Sequence, residues 1–417
     1  MSLRGFSPSR TAGLDRLAQF LPLAGRAYAA SRNEDRGAGH HEHVSCLSPW
    51  LRHRQVTETE VLRAVLSLHA PSTAQKFIQE VFWRGYFKGY LEARPTIWSD
   101  WRRVVNQQLT EIGRDEALAS AYRRAVGAYT GIECFDTWVQ ELKGTGYLHN
   151  HARMWFASIW IFTLGLPWQL GAEFTYRHFL DGDPASNTLS WRWVAGLHTT
   201  GKHYLARAHN IAQYSNGRFA PEGLVETAPP LTERASHPLS ALPNLLSSPP
   251  AGKLTLLVTD EDLHPESLGL DPLQVVGVAG VTSVTARSVL PVPRLVQAYA
   301  ERSMEDALGR AAIHFSAPVE RLPRLDGDSI AEWAERLQVK TVVTACAPVG
   351  PVQEQLADAG DWLGLRGLKL VQLRRPYDAA VWPHATRGFS ELRDRIPELM
   401  DQLDLRSGRP VQGRLDI

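Results

Sequence analysis

Cysteine is scarce in this chain. Cys46, Cys134 and Cys346 are the only ones in 417 residues, they lie far apart, and no CxxC pair occurs. A disulfide framework or a cysteine-based zinc site needs more thiols at closer spacing, so neither is expected, and a reducing compartment fits. Long apolar runs are missing too. The most apolar stretch, Met154 to Trp168, is shorter and more aromatic than the roughly 20 residues a membrane helix needs. Near the start, Phe20 to Ala24 and Ala27 to Ala29 faintly imitate a signal peptide. That core is short and follows Asp15 and Arg16, so a cytoplasmic protein without a membrane partner is expected. An excess of one charge is also lacking, the net value being +1. The balance hides an asymmetry: residues 1–220 hold 25 Lys+Arg against 18 Asp+Glu, and residues 221–417 hold 20 against 26. Any polyanion would therefore meet the front half.

What is present divides the chain. The length allows two or three domains, and 44% hydrophobic with 21% charged residues is ordinary for a soluble globular protein. Residues 1–220 read as mainly helical. Apolar residues recur at helical spacing from Thr57 to Tyr90 (Val61, Val65, Leu68, then Phe77, Val81, Phe82), with a break at Pro71. Ala117 to Leu142 and Ala152 to Leu164 are helical by composition, with Pro167 ending the latter. Residues 221–250 are rich in Pro, Ser and Ala and read as an extended linker. Residues 251–417 alternate strands and helices. Strands are expected at Lys253–Thr259, Gln274–Ala279, Ala311–Phe315, Thr341–Ala345 and Lys369–Leu373, and helices at Arg294–Arg310, Ser329–Gln338 and Val352–Asp361. That alternation predicts a parallel α/β sheet without a G-x-G-x-x-G fingerprint. The expected fold is thus an all-α domain followed by a Rossmann-like α/β domain.

The stretch from Gly146 to Leu197 is the densest in chemistry. It holds Trp155, Trp160, Trp168, Trp191 and Trp193, together with Asn150, Arg153, Asp181, Asp183 and Asn187. Buried indoles need partners for their N–H groups, and buried carboxylates beside an Arg need pairing. Such a mixture on an apolar background suits the enclosure of something flat with polar edges. Upstream, Val44-Ser45-Cys46-Leu47-Ser48-Pro49 offers Ser48 as an N-cap and Pro49 as a first helical residue, presenting N–H groups to an anion. Glu80, Trp83 and Arg84 fall on one helix face. His40, His41, His43 and Cys46 have a spacing that fits no standard zinc site, so no metal is expected.

These motifs together resemble the photolyase/cryptochrome family, whose pattern runs H-N-x-x-R-M, then D-G-D-x-A-x-N, then W-x-W. The resemblance implies FAD as cofactor. Its pyrophosphate would be clamped by Ser45, Cys46, Leu47 and Ser48, with Tyr28 and Arg32 closing over it. Arg84 and Asn150 would join the cofactor set, Arg153 and Asp181 would pair against the flavin, Asp183 would accept from ring N3–H, and Asn187 would sit near N5. Glu80 would hydrogen-bond a lesion and Trp83 stack on it, with Asn150, His151, Met154 and Trp193 also facing DNA. Trp191 and Trp168 match the first two members of an electron relay, while Trp101, Trp155 and Trp160 are unranked candidates for an outer member. The implied activity is light-dependent repair of cyclobutane pyrimidine dimers in UV-damaged DNA, single- or double-stranded. The alternatives are a cryptochrome-like blue-light sensor and a nucleic-acid binder with a vestigial flavin. Some bacterial members hold an iron–sulfur cluster on four cysteines, a set this chain cannot supply. Five positions depart from the pattern: Val44 for Thr, Cys46 for Arg, Gly85 for Glu, Phe87 for Tyr and His151 for Arg. The tail, from Thr255 to Ser267 and again from Trp382 to Leu399, is similar to the family's antenna domain, which in the family comes first. A reversed domain order is therefore expected, and with it the possibility of a second, antenna chromophore.

Overall fold

The computed structural model describes residues 5–406 apart from residues 200 and 247; the outer ends of the expected helical and α/β segments, residues 1–4 and 407–417, lie outside the described residues. The helical part runs through α1 (Arg10–Phe20), α2 (Arg26–Ser31), α3 (Ser48–Arg52), α4 (Glu58–Leu68), α5 (Gln75–Glu92) and α6 (Thr96–Ile112). It continues through α7 (Glu116–Gly127), α8 (Glu133–Thr145), α9 (Asn150–Ser158), α10 (Trp168–His178), α11 (Pro184–Ala195) and α12 (Ala208–Tyr214).

Local chemistry sets several of these boundaries. Thr57 opens α4 with a capping box: its hydroxyl accepts from Glu60 N, and its own N–H donates to Glu60. The stretch from Ala117 to Leu142, helical by composition, forms two helices. Ala128 and Gly131 take left-handed φ values of 64° and 83°, and the Asp136 carboxylate ties down the turn by accepting from Thr130 and Gly131. Helical composition alone does not report a turn closed by one carboxylate. After α9 the chain makes a π-helical turn at Ile159–Thr163 before Pro167.

The second half is a five-stranded sheet in the order β3-β2-β1-β4-β5. Its strands are β1 (Leu254–Thr259), β2 (Val275–Val281), β3 (Val319–Arg321), β4 (Thr341–Ala345) and β5 (Lys369–Leu373), all parallel. Helix α13 (Arg294–Phe315) packs on one face and α14 (Gly327–Arg336) with α15 (Pro351–Leu365) on the other. Side chains alternate accordingly: Leu256 and Val258 meet Met304 and Leu308, while Leu257 meets Trp333 and Leu356. Ala311–Phe315, expected as a strand, is the last turn of α13. Ala311 and Phe315 lie four apart on its buried stripe, and Ser316 ends the helix at φ 50°. The edge strand is β3 instead.

The two halves share one core. Helices α16 (Pro376–Val381) and α17 (Phe389–Gln402) return to the helical part, where Tyr377, Val381, Trp382 and Phe389 join Phe82 and Tyr86. Gly85 and Gly89 make the approach possible: a Cβ at 85 would lie 2.8 Å from the Tyr377 hydroxyl and one at 89 would lie 2.7 Å from Trp382 Cα. Gly85 thus stands where the resemblance has Glu because the tail packs on this face of α5. Residues 221–250 form no helix or strand of their own among the described residues, yet they are not a free linker. Leu231 N donates to Ala195 O, Glu233 takes both guanidinium arms of Arg192, Ser240 N donates to Ala93 O, and Leu246 makes a parallel bridge to Leu373.

Candidate cofactor site

A pocket of about 440 Å³ opens in the helical part, where α2, α3, α5, α9 and α11 converge. Each element contributes side chains expected from the sequence. Tyr28 and Arg32 come from α2 and its C-terminal cap, and Ser45, Cys46, Leu47 and Ser48 from the approach to α3. Helix α5 gives Glu80, Trp83 and Arg84, and α9 gives Asn150, Arg153 and Met154. Asp181 and Asp183 come from the loop before α11, and Asn187, Trp191 and Trp193 from α11 itself. His149, Ser186 and Ser190 also line it, unanticipated. The two serines could have been found, because they sit three and seven residues after Asp183, on the helix face that carries Asn187 and Trp191.

The polar geometry is specific. Arg153 pairs with Asp181 at 2.8 Å, and its guanidinium lies 3.9 Å from the Phe179 ring centroid. Asp183 caps α11, its Oδ1 accepting from Ser186 N at 2.8 Å. Its Oδ2 faces three cations: Lys88 at 3.3 Å, Arg84 at 3.6 Å and Arg52 at 4.0 Å. Burial works to raise the Asp183 carboxyl, but these charges hold it well below the usual carboxylate range. Glu58, which faces both Arg84 and Arg54, is buried beside them. Lys88, Glu58 and Arg52 form a ring of charge that sequence reading missed, since each comes from a different helix. Asn187 is held by α10, donating to Ala172 O at 2.8 Å and accepting from the Thr175 hydroxyl at 2.9 Å. Trp191 Nε1 donates to that same hydroxyl.

Glu80 pairs with Arg32 at 2.9 Å. Burial pushes its carboxyl above the ordinary value, opposed by Arg32 and Lys76. Trp83 lines the pocket while one of its faces stacks on Phe389, with centroids 3.8 Å apart. Trp193 lies against Tyr204.

Three expectations change. Ser48 is the first residue of α3 and not its cap; Leu47 takes the cap position and has no capping side chain, so the hydroxyl of Ser48 does not close the helix end. Cys46, just before, holds φ 52°, a left-handed conformation that costs a non-glycine residue about 1–2 kcal/mol. His151 does not line the pocket. It stacks on Trp155 at 4.1 Å, with Nδ1 2.9 Å from Asn33 O, and burial holds it below the ordinary histidine value. Its ring is shorter than the expected Arg and satisfies itself internally. Trp168 also lies outside the pocket and has no ring contact with Trp191 among the described residues. The indole against Trp191 is Trp160, with centroids 6.2 Å apart in a T-shaped pair. Gly171 lets them meet, since a Cβ there would fall 2.3 Å from Trp191 and 2.8 Å from Trp160. Trp155 stacks on Trp138, and Trp101 meets Trp98 in a tilted pair.

The lining suits a large aromatic anion. Its walls are apolar at Phe77, Phe87, Leu148 and Phe156 and cationic at Arg32, Arg84 and Arg153. Arg84 Nε and Nη2, Asp181 Oδ1 and His149 Nε2, all from lining residues, are buried without a hydrogen-bond partner. Buried polar atoms left unmatched by protein are what a polar-edged ligand satisfies. Among the described residues no cluster of His, Cys, Asp or Glu could hold a metal, and no helix is long and apolar enough to cross a membrane.

Comparison with known proteins agrees with this chemistry. Residues 77–224 match the family model described as the FAD binding domain of DNA photolyase. A deoxyribodipyrimidine photo-lyase of Synechococcus sp. is 31% identical over 195 residues, covering 45% of this chain and 39% of its own length. One from Thermus thermophilus is 31% identical over 218 residues, 52% of this chain and 49% of its own. A cryptochrome DASH of Natronomonas pharaonis is 29% identical over 178 residues, 41% of this chain and 36% of its own. Among solved structures, a bacterial class III photolyase from Agrobacterium tumefaciens is similar over 50% of this chain and 43% of its own, with a TM-score of 0.41 and 24% identity. The matches thus span less than half the length of these relatives. Over residues 77–224 the chain carries an FAD-binding domain of the DNA photolyase type.

Proposed function

We propose that this chain is a light-dependent DNA repair enzyme that holds FAD in the helical pocket and acts on cyclobutane pyrimidine dimers in UV-damaged DNA. One observation carries the proposal. Glu80 and Trp83 line the same pocket as the polar groups that suit the cofactor, together with Asn150, Met154 and Trp193. A carboxyl beside an indole suits a base pair taken out of the duplex, which needs an edge to bond and a surface to stack on. Reduced FAD, when bound, supplies the electron that light mobilises. The residues do the rest. Arg32, Arg84 and the uncapped start of α3 take the cofactor's negative charge, Arg153 and Asp181 brace each other at its side, and Asn187 is held still by Thr175 and Ala172. In the same proposal, the parallel-sheet half is the family's antenna-like domain placed second in the chain.

Illumination of the reduced, FAD-loaded protein with dimer-containing DNA tests this. Lesions should disappear, and Glu80→Gln should slow their loss about tenfold, as expected for one hydrogen bond to a charged group. Unchanged lesion levels at saturating protein would leave the blue-light sensor. Two observations favour that second reading: one face of Trp83 is taken by Phe389, and His151 is turned inward.

The relay is assigned to Trp191 and Trp160, which are in ring contact. Trp160→Phe should slow the light-driven loss of oxidised-flavin absorbance in the presence of a thiol donor more than Trp168→Phe does. The reverse order would return Trp168 to the second place.

A further inference from the structure

We propose that the α/β domain builds the flavin pocket from behind, with Glu261 and Arg287 as positioning residues for the loop Phe179–Asp183. The proposal rests on FAD occupying that pocket. The loop carries Asp181 and Asp183 but belongs to no helix or strand; within it, Gly182 N donates to Phe179 O at 3.2 Å, and further support for its carbonyls comes from outside. Two arginines do this. Arg52 of α3 donates Nε to Gly182 O at 2.7 Å, and Arg287 of the α/β domain donates Nη1 to Phe179 O at 3.0 Å. Gly182 has no room for a side chain, since a Cβ there would lie 2.5 Å from Tyr176 O and 2.8 Å from Arg287 Nη1. The close approach of Arg287 depends on that glycine.

Arg52 is aimed by the α/β domain. Its two terminal nitrogens bond the Glu261 carboxylate at 2.7 and 2.6 Å, both side chains being nearly fully buried. Glu261 sits just past the carboxyl end of β1, where open α/β sheets place their ligands. Here that position is filled by protein: Asp260, Glu261 and Asp262 are 1–3% exposed. Asp260 O meets His53 Nδ1, and Asp262 is bound bidentately by Arg375. The geometry makes the role of Glu261 specific. Asp183 Oδ2 is 4.0 Å from Arg52 Nε and is the other carboxylate paired with it among the described residues. Without Glu261, a buried Arg52 would turn toward Asp183, drawing the carboxylate away from Lys88 and Arg84 and moving the loop.

The test uses the full chain and FAD itself. Glu261→Gln and Arg287→Met should each weaken FAD binding about tenfold, equivalent to ~1.4 kcal/mol, and alter the visible circular dichroism of the bound flavin, which reports its orientation. Glu354→Gln is the control. Glu354 bonds Trp98 at 2.8 Å and pairs with Arg102, joining the two halves with no hydrogen bond or ion pair to the loop among the described residues. It should leave both readouts unchanged. If Glu261→Gln fails to fold, Arg287→Met decides alone. Unchanged FAD affinity and dichroism in the variants would overturn the proposal, as would equal weakening by Glu354→Gln, which would mark a general loss of stability. An unmodified chain that binds no FAD would instead remove the cofactor reading on which the proposal rests.

Discussion

Replacing Asp183 by Asn should lower the stability of the FAD-free chain by about 3–5 kcal/mol, the usual cost of removing one partner of a buried ion pair. Asparagine caps helices as well as aspartate does, so the bond to Ser186 N can persist and the change isolates charge. What remains is Lys88, 1% exposed, whose Nζ has no hydrogen-bond acceptor and pairs with Asp183 alone among the described ion pairs. Arg84 keeps Glu58 and Arg52 keeps Glu261, so the burden falls on the lysine. Lys88→Met in the Asp183→Asn background should therefore recover part of the loss, and a double-mutant cycle measures the coupling directly. A single variant as stable as the parent would refute the ring of charge. The pH dependence follows from the depressed carboxyl of Asp183. Its stabilisation is fully present above the unfolded aspartate value of about 3.9 and is lost progressively as pH falls below it. The Asn variant should show a shallower acid limb in a stability–pH profile.

The second large effect is steric. Gly89→Ala would place a Cβ 2.7 Å from Trp382 Cα and 2.8 Å from Ala385 Cβ. Backbone cannot swing aside as a flexible side chain can, so the tail must lift from α5. The expected loss is about 1–3 kcal/mol, against which the ~0.5–1 kcal/mol helix preference for alanine is a smaller gain. Gly309, inside α13 with nothing within 4 Å of its Cβ position, gives the opposite sign: Gly309→Ala should stabilise. Denaturant midpoints for the pair check both. A Gly89→Ala chain at least as stable as the parent would show that the tail does not seat on α5 as described.

These two sites show where sequence reading works and where it stops. Residues whose chemistry is local were legible. Strands β4 and β5 keep the bounds expected from their apolar, β-branched runs, and the pocket gathers side chains whose spacing along single helices was visible beforehand. Relations between distant elements were not legible. Gly85 departs from the pattern in sequence, and Tyr377, almost three hundred positions later, fills the space. His151 is expected to face DNA, and it is an internal stacking partner for Trp155. Trp168 has the right place in a pattern, but the indole against Trp191 is set by how the π-helical turn Ile159–Thr163 and α11 meet over Gly171 of α10. Lys88 gave no sign of its burial because one lysine on a helix is ordinarily solvated.

The parallel bridge between Leu246 and Leu373 has a consequence for solubility. Strand β5 ends the sheet, and an open border of unpaired amides invites a neighbouring molecule to zip onto it. Leu246 covers one stretch of that border, and its carbonyl takes the N–H of Arg374. Cutting the backbone between residues 240 and 246 would release this cover, and the nicked protein should precipitate more readily than the intact one.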